Sequence, residues 1–112
     1  MRRIAPAHES LHAPHLLDLE VAQVVRRYHR AGAIDEERGR AVLRDLAGLD
    51  LHRYPHDVFL PRIWELRDRV TAYDAAYLAL AEVLEAPLLT LDARLARAGG
   101  HRARVELVTA GS

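Results

Sequence analysis

Apolar positions along this chain alternate between helical spacing and short compact runs. Leu17, Val21, Val24 and Tyr28 share one helical face, which predicts a helix from residue 15 to about 31 with Gly32 as its stop. Asp35 is placed to cap a second helix reaching about residue 47, and Gly48 follows it. Residues 10–13 read as a short extended stretch closed by Pro14, and residues 49–54 as a brief strand ended by Pro55. A helix carrying Ile63, Trp64 and Leu66 comes next, with Pro61 as its first residue or within its first turn. Thr71-Ala72-Tyr73-Asp74 opens the strongest helix, which runs to Glu85. After Pro87, residues 88–90 make a compact apolar strand, Asp92 begins a short helix ending at Gly99-Gly100, and residues 105–108 form the last strand.

Strands separated by helices predict an α/β domain, a parallel sheet with helices on its faces. In such sheets, sites form beyond the carboxyl ends of the strands. A doubly wound domain normally opens on an apolar strand, whereas this chain opens on charged and small residues. No repeat, low-complexity run or linker divides it, so residues 1–112 are expected to form a single domain.

Composition narrows the chemistry. The chain has no cysteine, which excludes disulfides and thiolate metal sites. No apolar run approaches the roughly 20 residues of a membrane span, and Met1-Arg2-Arg3 is not followed by the apolar stretch of a signal peptide. A cytoplasmic location without membrane association is the expectation. Formal net charge is zero, so a polyanionic partner would have to meet a local basic patch. All sixteen cationic side chains are Arg; a GC-rich genome explains that more simply than selection for phosphate contacts.

The informative residues are acids at apolar positions. Glu20 has Leu16 and Leu17 one turn before it and Val24 one turn after, which places its carboxylate within the apolar stripe. Asp74 heads a stripe continued by Tyr77, Leu78 and Ala81. Asp92 follows the apolar strand directly and precedes Leu95 and Ala96. A buried carboxylate must be paired, protonated or bound to metal. Each acid also has a plainer reading. Glu20 could pair with an Arg or lie at the edge of its stripe, Asp74 fits a capping box with Thr71, and Asp92 is a natural N-cap.

If the three converge to ~5 Å, each pair repels by ~3 kcal/mol at an effective dielectric of about 20, so a counter-charge is required. An all-oxygen set suits Mg²⁺ or Mn²⁺, whereas Zn²⁺ would normally recruit histidine. The pairs His12/His15 and His52/His56 straddle Pro14 and Pro55, so neither lies on one regular helix, and both are expected at the surface.

Residues 60–82, with their Tyr73-Asp74-Ala75-Ala76-Tyr77 block, resemble the signature of VapC-type PIN-domain toxins. So do residues 86–96, with Leu89-Thr90-Leu91-Asp92, and residues 13–22. The resemblance implies a PIN-like three-layer α/β/α fold with a parallel sheet. It also implies a Mg²⁺-dependent endoribonuclease held inactive by a small VapB-like antitoxin, in a family that tends to form homodimers. The family's second, third and fourth acidic ligands map onto Glu20, Asp74 and Asp92, and Thr90 matches a hydroxyl position beside the last acid. Family members open with an apolar strand ending in an Asp-Ala-Ser-like motif that supplies the first metal ligand. This sequence has neither the strand nor that Asp, so the chain is expected to be truncated at its N-terminus. A wrongly chosen start codon or a shortened gene would each produce that.

The leading expectation is metal-assisted hydrolysis of RNA, with Glu20, Asp74 and Asp92 as ligands and Arg94 and Arg97 as candidates for contacting the RNA backbone. The rival is a non-catalytic remnant that keeps only the antitoxin-binding surface. Trp64 and Phe59 are assigned to core packing or partner binding, with core packing preferred for Trp64.

Overall fold

The computed structural model describes residues 10–109. In chain order the elements are β1 (Leu11–Pro14), α1 (Leu16–Arg30), α2 (Glu36–Ala47), β2 (Leu51–Tyr54), a 3-10 turn (Asp57–Phe59), α3 (Leu60–Glu65), α4 (Ala72–Leu84), β3 (Leu88–Thr90), α5 (Ala93–Arg97) and β4 (Val105–Leu107). The α/β reading of the sequence is borne out, with every strand pair parallel. The extended stretch expected at residues 10–13 is a strand, whereas the charged opening of the chain lies outside the described residues. β1 pairs with β2 in a register that sets Leu11 opposite Leu51 and His12 opposite His52. β3 pairs with β4, Leu88 opposite Val105.

One feature differs from the expected single sheet. The described strands form two separate two-stranded ladders, and α4 packs against both β1 and β3. Among the described residues, packing on that helix joins the two ladders.

The composition of α4 explains its central place. Residues 75–81 (Ala-Ala-Tyr-Leu-Ala-Leu-Ala) are buried without interruption, so the helix is covered on all sides rather than along one stripe. Thr71 starts it by accepting the Asp74 N–H at 3.1 Å, and Glu85 ends it in the left-handed region at φ 51°. Leu66, Tyr77, Leu78, Leu88 and Leu95 form the main core cluster, and Phe59 and Leu80 anchor a second one. Pro61 occupies the first turn of α3, where its missing N–H costs nothing.

Two sequence assignments are corrected. Trp64 is 67% exposed: Ile63 and Leu66 take the inward positions of that segment, and a neighbouring position on a helix points elsewhere. The apolar stripe of α1 is only partly covered, with no residue of that helix buried, so Glu20 stands at its exposed edge rather than in the core. α1 instead meets α2 closely at Gly39, where a Cβ would come within 3.2 Å of Val25 Cγ1. Among the described residues, no helix is long and apolar enough to cross a membrane.

Candidate metal centre

Three elements bring the predicted acids to one place. Glu20 projects from the middle of α1, Asp74 from the first turn of α4, and Asp92 from the cap position of α5, directly beyond the carboxyl end of β3. With Thr90 and Tyr77 they line a pocket of about 270 Å³ whose apolar wall is Leu88, Leu91 and Leu95. This is the strand-end position at which open α/β folds place their sites.

Each acid is oriented by a local contact. The Tyr77 hydroxyl donates to Glu20 Oε1, joining α4 to α1. Asp92 Oδ1 accepts the Arg94 N–H at 2.9 Å, so the N-cap reading of this residue holds. The Asp92 N–H donates in turn to Thr90 Oγ1 at 3.0 Å, and Thr90 is 3% exposed. Thr90 therefore aligns the backbone that carries Asp92. At Asp74 the backbone half of the expected capping box forms through Thr71.

The electrostatics single out Asp74. Desolvation by burial pushes its carboxyl above the ordinary carboxylate range, and the charges of Asp92 and Glu20 push in the same direction. A hydrogen bond with the Thr71 side chain opposes them. A carboxylate held up by burial and by two like charges is a site that gains from a cation. The donor set present is carboxylate and hydroxyl oxygen, which fits a hard divalent ion. Among the described residues, no three acidic or histidine side chains stand close enough to cage an ion outright. The acids share a pocket without closing on a point.

The predicted arginines separate. Arg94 lines a neighbouring pocket of about 510 Å³ that shares Asp74, Asp92 and Leu95 with the first, whereas Arg97 is exposed and lines neither. That second pocket adds Thr71, the capping residue, together with Arg67 and Arg69, which nothing in the sequence pattern singles out. Tyr77 belongs to the apolar stripe and to the Tyr73–Tyr77 block, and its place one turn after Asp74 is the sequence signal for a role of its hydroxyl.

Each histidine of the His12/His15 and His52/His56 pairs meets one from the other pair, not its neighbour in sequence. His12 stacks on His52 at 5.0 Å between ring centroids, and His15 meets His56 edge-on at 6.0 Å. His56 Nε2 accepts the Leu16 N–H at 3.0 Å, which occupies the ring in starting α1.

Comparison with known proteins adds a family profile and close relatives. The PIN domain profile matches residues 1–101. Ribonuclease VapC1 of Mycobacterium tuberculosis is 49% identical over 100 residues, covering 86% of this chain and 73% of that protein. VapC ribonuclease Mb0985 of Mycobacterium bovis is 40% identical over 102 residues, covering 91% and 80%. Ribonuclease VapC12 of Mycobacterium tuberculosis is 40% identical over 100 residues, covering 89% and 78%.

Proposed function

The chain belongs to the PIN-domain family, among its VapC ribonucleases, and we propose that Glu20, Asp74 and Asp92 are the residues with which it holds its divalent metal. It is a toxin endoribonuclease of the VapC type, acting on RNA and paired with a VapB antitoxin. A divalent ion is a general requirement of this group; Mg²⁺, or Mn²⁺ in its place, is the ion we assign from the all-oxygen donors. The single observation that carries the assignment is the common pocket of the three acids, with the Asp74 carboxyl raised by burial and by the other two.

When bound, a divalent ion lowers the pKa of a water and neutralises charge developing on the scissile phosphate. The chain's own residues do the rest. Asp74, desolvated and repelled, is the acid with most to gain from a cation and would be the strongest of the three in holding it. Tyr77 keeps the exposed Glu20 turned toward that pocket. Thr90 and the start of α5 fix the backbone of Asp92, leaving carboxylate lone pairs beyond the capping bond. Leu88 and Leu95, both buried, make one side of the pocket apolar, which strengthens the charge interactions there.

A homodimer is the assembly we propose, for which Leu60 and Trp64 of α3, 57% and 67% exposed, supply apolar surface. The proposed place of action is the cytoplasm, where RNA is available.

The test is Mn²⁺-dependent cleavage of structured RNA by the parent protein and by a Glu20→Gln/Asp74→Asn variant. The parent should cleave and the variant should lose at least two orders of magnitude in rate. Equal cleavage by both removes the site assignment. The remnant reading has its own support, that no three acids among the described residues already cage an ion, and it predicts no cleavage by the parent and no metal-induced rise in melting temperature.

A further inference from the structure

Beside the acids lies a second pocket that adds arginines to them. Three guanidinium groups, of Arg67, Arg69 and Arg94, line the 510 Å³ pocket that shares Asp74 and Asp92 with the acid pocket. Arg67 and Arg69 are held by different devices, and Arg94 is exposed beside Asp92. Arg67 donates from Nη1 to the Trp64 carbonyl at 2.9 Å and lies over the Trp64 ring, its guanidinium carbon 4.5 Å from the centroid. Arg94 stands 3.7 Å from Asp92. Arg69 lies along the Gly99-Gly100 turn: a Cβ on Gly100 would come within 3.1 Å of Arg69 Cγ, and one on Gly99 within 3.4 Å of Nη1. Gly100 also has φ +86°, where a side chain is strained.

Because exposed arginines lose much rotamer freedom on binding, holding their stems in advance lowers the cost of a contact. The missing side chain of Gly100 makes room for the Arg69 stem, whereas a Cβ on Gly99 would only touch the end of the guanidinium. The lining is itself balanced, with Asp68, Asp74 and Asp92 beside the three arginines, so any hold on a polyanion comes from contacts of single guanidinium groups with single phosphates and not from a long-range field. Asp74 and Asp92 face the acid centre as well, so the arginines adjoin the acids directly.

We propose that Arg67, Arg69 and Arg94 bind the RNA phosphates next to the scissile one, with Arg69 pre-set by the Gly99-Gly100 turn, so that the strand crosses the acid pocket in one register. The proposal rests on the ribonuclease site described above. Arg69 is a positioning residue, acting through the backbone phosphates of the substrate. Arg97, on the same short helix as Arg94, takes no part.

The test reads binding apart from cleavage: a labelled mixed-sequence single-stranded oligoribonucleotide is titrated in EDTA at several salt concentrations. For single strands, the slope of log K against log salt falls by about 0.7 for each phosphate that the protein no longer neutralises. Arg69→Ala, Arg67→Ala and Arg94→Ala should each weaken binding and flatten the slope by about that amount. Arg69→Lys should recover the slope, Gly100→Ala should weaken binding while keeping residue 69 unchanged, and Arg97→Ala should do neither. Melting curves identify any variant that fails to fold, and Arg69→Gln then replaces Arg69→Ala. An unchanged affinity and slope in the folded Arg69 variant overturns the proposal, as does a parent that binds no RNA. Flattened slopes in a protein that never cleaves would uphold this subsite while overturning the ribonuclease assignment; cleavage indifferent to Arg69 would do the reverse.

Discussion

The Tyr77 hydroxyl donates a hydrogen bond to Glu20 Oε1 across 57 residues of chain. Tyr77 is buried at 6% exposure on α4, whereas Glu20 stands at the exposed edge of α1. A rigid side chain therefore holds a flexible one, and the acid's orientation follows from core packing. Groups that orient a metal ligand typically contribute a factor of ten to a hundred in metal affinity. Tyr77→Phe should weaken Mn²⁺ binding by roughly tenfold or more. The fold should lose only about 1 kcal/mol, because the freed carboxylate is rehydrated. Calorimetric titration with Mn²⁺ beside urea unfolding separates the two effects. A change in stability with no change in metal affinity would make this contact a plain helix tie.

At Asp74 the expected effects have opposite signs. Burial and the charges of Asp92 and Glu20 raise its carboxyl, so the metal-free fold is penalised by the ionised form at neutral pH. Asp74→Asn removes that penalty and should raise the melting temperature in EDTA. The same change should shrink the rise produced by added Mn²⁺, which for the parent reaches about 2.7 kcal/mol at a hundred times Kd. A residue serving only as a helix cap would show no such reversal. Thermal scans of both proteins with and without metal decide it.

Where the sequence was legible, one element carried its own signal. Thr71 at the cap, the unbroken apolar run of residues 75–81 and Pro87 beyond it delimit α4 without help from the rest of the chain. Asp92 was equally plain, because cap chemistry and a strand-end position are both local properties. Glu20 was harder: its spacing put it among apolar residues, but how far α1 is covered depends on its partners, and the helix ends with no buried residue. Arg69 was invisible in advance. Its setting depends on a glycine turn about thirty residues later, and no periodicity reports a contact between two loops. The histidine pairing was hidden for the same reason, since it depends on the register of β1 with β2.

Glu82 supplies the acid sensitivity of the fold. Its side chain is 4% exposed and receives two 2.9 Å hydrogen bonds from the Arg62 guanidinium, together with the Arg102 N–H at 2.7 Å. Arg62 is the main cause holding its carboxyl below the ordinary value of 4.5, against the effect of burial. A lowered carboxyl contributes stability that is complete above pH 4.5 and lost as pH falls through the folded value. Glu82→Gln should therefore flatten the stability profile below pH 4.5. The two partners should not be equivalent. Arg62→Ala leaves a buried anion with weaker support and should cost roughly 3 kcal/mol. Glu82→Gln leaves Arg62 with Glu65 and water and should cost nearer about 1 kcal/mol. Urea unfolding across pH gives both numbers, and equal losses would show that burial of Glu82 is not what matters.

Trp64 separates a core tryptophan from a surface one. A tryptophan in a core typically costs 3–5 kcal/mol when cut to alanine, about half the stability of a small domain. Here the ring is 67% exposed, and the Arg67 guanidinium lies over it at 4.5 Å, an interaction of about 0.5–1 kcal/mol at an exposed site. Trp64→Ala should therefore cost about 1 kcal/mol in a dilute monomer, measured by urea unfolding followed by circular dichroism. The homodimer proposed above adds a concentration dependence: if Trp64 is covered by a second copy, the loss should grow as the protein concentration rises. A loss near 4 kcal/mol at every concentration would return Trp64 to the core. A small loss that never varies would leave the dimer without its α3 surface.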